Sequence, residues 1–231
     1  MPAKRKSNLA RKTKRTRPDI LTVDLASILS VDHACDGCLR GEACCCSAYD
    51  VCMTAAELKR IICVLPEAAR FCPHLAAGDG YENIFDEVEP GLFAIDTDDD
   101  GLCLFAFRSG RRVRCSLHAA AAVLGLPPEK VKPKSCLLWP LSFSEGKEVL
   151  SLIDDAPAFR CNTLRRGRSR RLAPAFVTAM DAVYGRGVVE QLEQEAARGT
   201  RRTTASLRRR KRDCSARTDS KMLVQGCWQA R

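Results

Sequence analysis

The chain has 231 residues, of which 45% are hydrophobic and only 6% aromatic, and carries a formal charge of +10. That is enough apolar material for one large or two small cores built on Leu, Val, Ile and Ala. No uninterrupted apolar run approaches the ~18–20 residues of a membrane span, so composition excludes a membrane protein. Cysteine is the outlier: 14 residues, below the roughly 8–10% of a disulfide scaffold. The basic N-terminus leads into no signal-peptide core. The expected setting is therefore cytoplasmic and reducing, where clustered thiols act as metal ligands more often than as disulfides.

Charge is segregated. Residues 1–17 hold eight Lys/Arg and no acid, and residues 198–231 hold eleven Lys/Arg and two Asp, which leaves residues 18–197 at −7. Runs such as Lys4-Arg5-Lys6 and Arg208-Arg209-Arg210-Lys211-Arg212 repel themselves and bury nothing. The expected organisation is a disordered basic tail over 1–17, a cysteine-bearing domain over 18–197, and a second disordered basic tail over 198–231. The tails offer weak, salt-sensitive nucleic-acid or polyanion binding, without the interleaved aromatics of a dedicated single-strand binder.

Within the body, Ile20 to Val31 reads as a strand or helix turn. Thr54-Ala55-Ala56-Glu57 is a capping box, and Leu58, Ile61, Ile62 and Leu65 follow at helical spacing, which predicts a helix from 55 to about 64. Pro66 is expected to begin a separate turn over Glu67 to Phe71. Residues 92–95, 102–107 and 112–115 read as three strands forming one meander around the turn Asp96 to Gly101. That turn fits the first half of a calcium loop, but Phe107 occupies the position of the bidentate acid, and no metal is assigned there. Ser116 is expected to cap a helix to Leu124, and residues 148–153 form another strand. Pro174 to Ala197 is helical, split at Gly185 and Gly187. The fold class is α+β: a compact, cysteine-rich, metal-stapled domain with a short antiparallel meander and several helices.

The chemistry lies in the cysteines. Cys35-Asp-Gly-Cys38 is a C-x-x-C pair, whose two intervening residues let both thiolates turn toward one ion, with Gly37 suited to the tight turn. Further ligands are available in Cys44-Cys45-Cys46. Cys103, Cys115, Cys136 and Cys161 recur singly, mostly at the ends of elements, where ligands are commonly placed. Cys63 and Cys52 read instead as small buried apolar residues.

These residues, with Tyr49-Asp50-Val51 and Met53-Thr54-Ala55-Ala56-Glu57 after the first cluster, resemble the YkgJ-type cysteine-cluster proteins, the CxxCxxCC zinc- or iron-chelating domain. Later pieces agree in order: Gly101-Leu102-Cys103-Leu104-Phe105, Arg114-Cys115-Ser116-Leu117-His118, and Lys132-Pro133-Lys134-Ser135-Cys136 before Trp139-Pro140-Leu141. The resemblance spans roughly residues 30–190. It implies chelation by Cys35, Cys38, two of Cys44–Cys46, Cys103, Cys115 and Cys136, with Cys161 a further member. Chain order selects Cys44 and Cys45, with Cys46 able to replace either. Five residues separate Cys38 from Cys44, where the family name implies two.

Soft thiolates select zinc or an iron–sulfur cluster over hard cations. His118 is either a ligand beside Cys115 or an exposed helix residue; His33 reads as a loop or supporting residue, and His74 neighbours only the unassigned Cys72. Asp36 and Glu42 lie close to the first cluster as supporting acids. No G-x-S-x-G, P-loop, G-x-G-x-x-G or H-E-x-x-H occurs, so hydrolase, NTPase and dinucleotide chemistry have no support. The leading expectation is a metal-binding protein. The alternatives are an iron–sulfur redox or protein-modifying enzyme and a nucleic-acid-binding adaptor using the basic tails. The cysteine motifs are similar to those of a flagellin lysine methylase, although nothing marks a methyl-donor site.

Overall fold

The computed structural model describes residues 20–35, 37–76, 84–143, 149–167 and 169–207. In chain order the elements are β1 (Ile20–Asp24), α1 (Leu25–Ile28), β2 (Val31–His33), β3 (Cys38–Leu39), α2 (Cys45–Ala48), β4 (Val51–Thr54) and α3 (Ala55–Ala68). Then come β5 (Phe85–Glu89), β6 (Leu92–Ile95), β7 (Ala106–Ser109), β8 (Arg112–Cys115), α4 (Ser116–Val123) and α5 (Lys134–Leu138). The chain closes with β9 (Leu141–Phe143), β10 (Val149–Leu152), β11 (Asn162–Leu164), α6 (Pro174–Tyr184), α7 (Arg186–Arg198) and β12 (Arg202–Ser206). The class is α+β, as expected, but the strands are distributed over four small sheets.

One core is built by the two ends of the described chain. A mixed sheet, ordered β12-β1-β10-β9, is backed by α6 and α7, and Leu21, Val23, Leu150, Phe176, Met180, Val189 and Leu192 are buried between them. The second core is built by the middle of the chain. It gathers Met53, Ile61, Leu65, Ile95, Phe105, Val113 and Leu117 together with Cys44, Cys72 and Cys103. A small aromatic cluster, Tyr49, Trp139 and Phe159, has Cys45 and Cys161 packed against it.

The capping box forms as read: Thr54 accepts from the Glu57 amide, and the Glu57 carboxylate accepts from the Thr54 amide at 2.9 Å. The helix it starts runs past 64 to Ala68, with Pro66 inside its last turns rather than opening a new one. Proline lacks only the N–H that would bond Ile62, and so near the helix end few further bonds are lost. Helical rotation places Cys63 opposite Ile61 and Leu65, and it is exposed, not buried as expected. Gly185, at φ 91°, separates α6 from α7 at the expected point.

The expected meander is not one sheet. β6 lies between β4 and β5, so both of its edges are already hydrogen-bonded. The next strands must pair elsewhere, and β7 and β8 form a hairpin joined by β3. The strand expected at 102–107 is reduced to a single bridge, Thr97 to Cys103, before β7 begins at Ala106. Between them the Asp98 carboxylate accepts from the Asp100 and Leu102 amides at 3.0 and 2.8 Å, closing the acidic turn on its own backbone. Ser116 is the first residue inside α4, not its cap, which is Cys115.

The boundary at 197 also moves. Arg202–Ser206 pairs antiparallel with the whole of β1, Ile20 opposite Ser206 and Asp24 opposite Arg202, with Ala205 buried. Residues 1–17, and 208–231 of the C-terminal basic stretch, lie outside the described residues.

Candidate metal centre

Backbone pairing brings the cysteine segments together. β3 sets Cys38 opposite Val113, two residues before Cys115, and β7 sets Ala106 opposite Cys115 itself. The Cys103 amide donates to the Cys46 carbonyl at 2.8 Å. On the other side the Ala34 amide donates to the Cys161 carbonyl at 2.9 Å, where β11 pairs with β2. Gly37 is needed at the centre of this arrangement. Its φ is +98°, and an added Cβ would stand 3.0 Å from the Val113 carbonyl oxygen, so both conformation and space demand glycine.

Cys136 arrives on α5, whose start is held by buried polar contacts. The Glu57 side chain, 2% exposed, accepts from the Lys134 amide at 2.9 Å, and the Ser135 hydroxyl donates to the Cys52 carbonyl at 2.9 Å. The carboxylate that caps α3 therefore also fixes the helix carrying Cys136.

The thiols form one connected constellation. Hydrogen bonds link Cys38 with Cys44, Cys44 with Cys45, and Cys46 with both. The Cys45 and Cys46 sulfurs are 4.0 Å apart. Cys35 is electrostatically coupled to Cys38 and Cys115, Cys103 to Cys115, Cys45 and Cys44, and Cys136 to Cys115, Cys103 and Cys45. Cys161 is coupled to Cys35 and Cys38. Mutual electrostatic influence thus connects all eight candidates, Cys35, Cys38, Cys44, Cys45, Cys103, Cys115, Cys136 and Cys161, and Cys46 with them.

Their proton affinities diverge. Hydrogen bonds from Cys44 and then Cys46 hold Cys45 down at about 5 despite its burial, and the bond from Cys38 lowers Cys44. Donation raises Cys38 and Cys46. Burial pushes Cys103 up to about 12 and also raises Cys35 and Cys136, against the pull of Lys132. Cys161 is raised to about 11 by burial, with the Trp139 indole drawing it back.

Lys132 went unassigned in the sequence beyond its place in a motif. It is half-buried, and burial alone would lower its proton affinity; Cys115, Cys136, Cys35 and Cys45 outweigh that and raise it. It is a cation set among thiols. A lone lysine between Val131 and Pro133 carries no spacing signal that would have marked it. Beside Cys45 and Cys161, Trp139 meets Tyr49 at a tilt and Phe159 edge-on, at centroid distances of 4.9 and 4.8 Å, and the Tyr49 hydroxyl donates to Asp155.

The histidines stand aside. His33 shares a 2.7 Å hydrogen bond with Asn162 and stacks on Phe176, and His74 Nε2 bonds the Leu104 carbonyl oxygen at 2.7 Å. His118 is exposed on α4. Glu42 is paired with Arg160 at 3.4 Å, and Asp36 lies outside the described residues. Cys72, also unassigned, is buried and donates to the Ala106 carbonyl at 3.6 Å.

Among the described residues, no group of three or more His, Cys, Asp or Glu side chains is arranged as a ready-made shell for one metal ion. The sulfurs are gathered but not aimed at a common point. No helix among the described residues is long and apolar enough to cross a membrane. The chain matches no family model, no curated protein and no solved structure.

Proposed function

We propose that the protein binds zinc or an iron–sulfur cluster through its clustered cysteine thiolates, and that this metal staples the middle core. The observation that carries the reading is the convergence of eight candidate thiols from five separate stretches of sequence, with the half-buried cation Lys132 beside Cys115, Cys136, Cys35 and Cys45. Unrelated buried cysteines do not need to meet; ligands do. The resemblance to the YkgJ-type cysteine-cluster family points to the same residues.

The donor chemistry fits. An all-sulfur set selects soft or borderline ions. A tetrahedral zinc site with bonds of about 2.3 Å has sulfur–sulfur edges of about 3.8 Å, and Cys45 and Cys46 stand 4.0 Å apart. Several thiolates around one ion also leave excess negative charge, which Lys132 is placed to offset. Because no complete shell is preformed, binding draws the remaining sulfurs inward and is coupled to ordering of the middle core. The metal supplies cross-linking there, or electron storage if it is an iron–sulfur cluster.

The test is elemental analysis with an absorption spectrum on protein purified without oxygen. Colourless protein holding zinc supports a structural site, and brown protein holding iron and sulfide supports a cluster. Cys115→Ser or Cys136→Ser should lose metal and stability together, whereas Cys63→Ser should keep its metal. Folded protein free of zinc and iron, or equal metal loss in all three variants, overturns the proposal.

A further inference from the structure

The acidic average of the body conceals a basic surface on the terminal core, which begins four residues after the candidate ligand Cys161. The loop joining β11 to α6 reads Arg165-Arg166-Gly167-Arg168-Ser169-Arg170-Arg171, five arginines in seven residues with no acid. Its described ends are held against the structure. The Arg165 amide donates to the Ser30 carbonyl at 2.8 Å, and the Arg165 guanidinium bonds both Asp32 and the Arg171 carbonyl. Arg165 is thereby used internally, and Arg166, Arg170 and Arg171 are left exposed.

A second basic segment meets it. Arg170 reaches the Ala197 carbonyl at the end of α7 at 3.5 Å, next to Arg198. Beyond it come Arg201 and then Arg202, the first residue of β12, and the Arg201 carbonyl accepts from Ala26 at 2.9 Å, four residues before Ser30. Both basic segments are thus docked on the same short stretch, residues 26–30, and on each other. Arg166, Arg170, Arg171, Arg198, Arg201 and Arg202 are all exposed. The opposing acids are few: Asp32 is engaged by Arg165, Glu195 by Arg198 at 2.6 Å and Thr200 at 2.7 Å, Asp24, opposite Arg202 in the sheet, accepts from the Ala26 and Ser27 amides, and Glu193 lines the cleft of about 680 Å³ beside Arg170, Arg171 and Thr178.

We propose that this arginine surface, within the folded domain and distinct from the basic ends of the chain, binds the phosphate backbone of nucleic acid. Guanidinium groups match phosphate oxygens in paired hydrogen bonds, and every cation on this surface is an arginine. Its extent across two segments suits a repeating polyanion better than a single phosphate. No aromatic side chain is among the exposed large apolar residues described, so bases are not stacked and binding is not sequence-selective. A lipid surface would need an apolar face beside the charge. Here the exposed large aliphatics are the isolated Leu164 and Ile20, and the other apolar groups, Leu172, Pro174 and Val177, line a recessed cleft rather than a protruding face. The chain continues from β12 into Arg208-Arg209-Arg210-Lys211-Arg212, which extends the same charge in sequence.

The experiment measures binding of the full chain to a fluorescein-labelled DNA duplex of mixed sequence across a salt series. The variant Arg166→Gln/Arg170→Gln/Arg202→Gln should lower the slope of log K against log salt by about 3, near 0.9 for each lost phosphate contact. The control Lys59→Gln/Arg60→Gln/Arg70→Gln removes equal charge from α3 and the turn after it, and should leave the slope within about 1 of the parent. Replacing the same three surface arginines by lysine should restore most of the slope. If the triple glutamine variant does not fold, Arg166→Gln alone should still lower the slope by about 0.9. Equal loss in patch and control variants, no loss in the patch variant, or binding only to phosphatidylserine vesicles overturns the proposal.

Discussion

The two cores solve the same problem with different materials. The terminal core, between the β12-β1-β10-β9 sheet and helices α6 and α7, is filled by Leu, Val, Ile, Phe, Met and Ala, and no cysteine belongs to it. The middle core has Cys44, Cys72 and Cys103 among its buried residues, with Cys38, Cys46, Cys115 and Cys136 packed around them. Strand length does not separate the two: the middle sheets have strands of two to five residues and the terminal sheet strands of three to five. The difference lies in the thiols, which give less apolar burial for each ordered residue than Leu or Phe, and small cores poor in such burial gain most from cross-links. If the proposed metal is bound, the comparison places its effect in the middle core rather than the terminal one.

The largest expected effect is on that asymmetry. Stripping metal with a strong chelator should abolish amide-exchange protection in β3, β7 and β8 while β1, β10, α6 and α7 keep theirs. Structural thiolate sites contribute on the order of 10 kcal/mol in small domains, far more than any single contact here. Uniform loss across both cores would show one cooperative unit. Unchanged protection everywhere would show that the thiols are only packing.

Next in size is Phe176→Ala. Phe176 is 1% exposed and carries the stacked His33 ring, and truncation of such a residue costs about 3–5 kcal/mol. Metal content measured on the folded fraction should not change. A parallel loss of metal would mean that the His33 contact transmits to Cys35, and would merge the two regions.

Glu57→Ala should cost about 2–3 kcal/mol, because it removes a buried acceptor shared by the Thr54 and Lys134 amides. It acts at the boundary between packing and ligation. Metal affinity should fall in step with stability, since Cys136 sits two residues beyond Lys134. Full stability with weakened metal binding would sharpen the comparison in the other direction, making Glu57 a positioning residue alone.

What was legible in the sequence divides along the same line. Local chemistry could be read directly: the capping box at Thr54 and Glu57, the turn at Gly37, the break at Gly185. Each is specified within a few residues. Sheet membership could not. β6 has the pattern of a meander strand, yet its partners are β4 and β5, and nothing in Leu92–Ile95 says which neighbours occupy its edges. β12 was hidden because its Arg-Thr-Thr-Ala-Ser sequence looks like tail. Pairing with β1 needs only backbone groups, β-branched threonines and the small buried Ala205. The eight cysteines could be singled out in the sequence because they cluster or recur at element ends. Lys132 was not, since its role depends on which side chains surround it.

The smallest expected effect tests the seam between β2 and β11. Asp32 is paired with Arg165, and the guanidinium holds its carboxyl below the ordinary value near 3.8. A carboxylate lowered in the folded state stabilises above its unfolded value and loses that contribution as pH falls through the folded one. The Asp32 side chain is largely exposed, so Asp32→Asn should cost no more than about 1 kcal/mol at neutral pH and less in high salt. The difference in melting temperature between parent and variant should shrink toward zero as pH drops below 3.8. A difference that persists there would mean that Arg165 is held by the Arg171 carbonyl and the Ser30 strand contact rather than by charge.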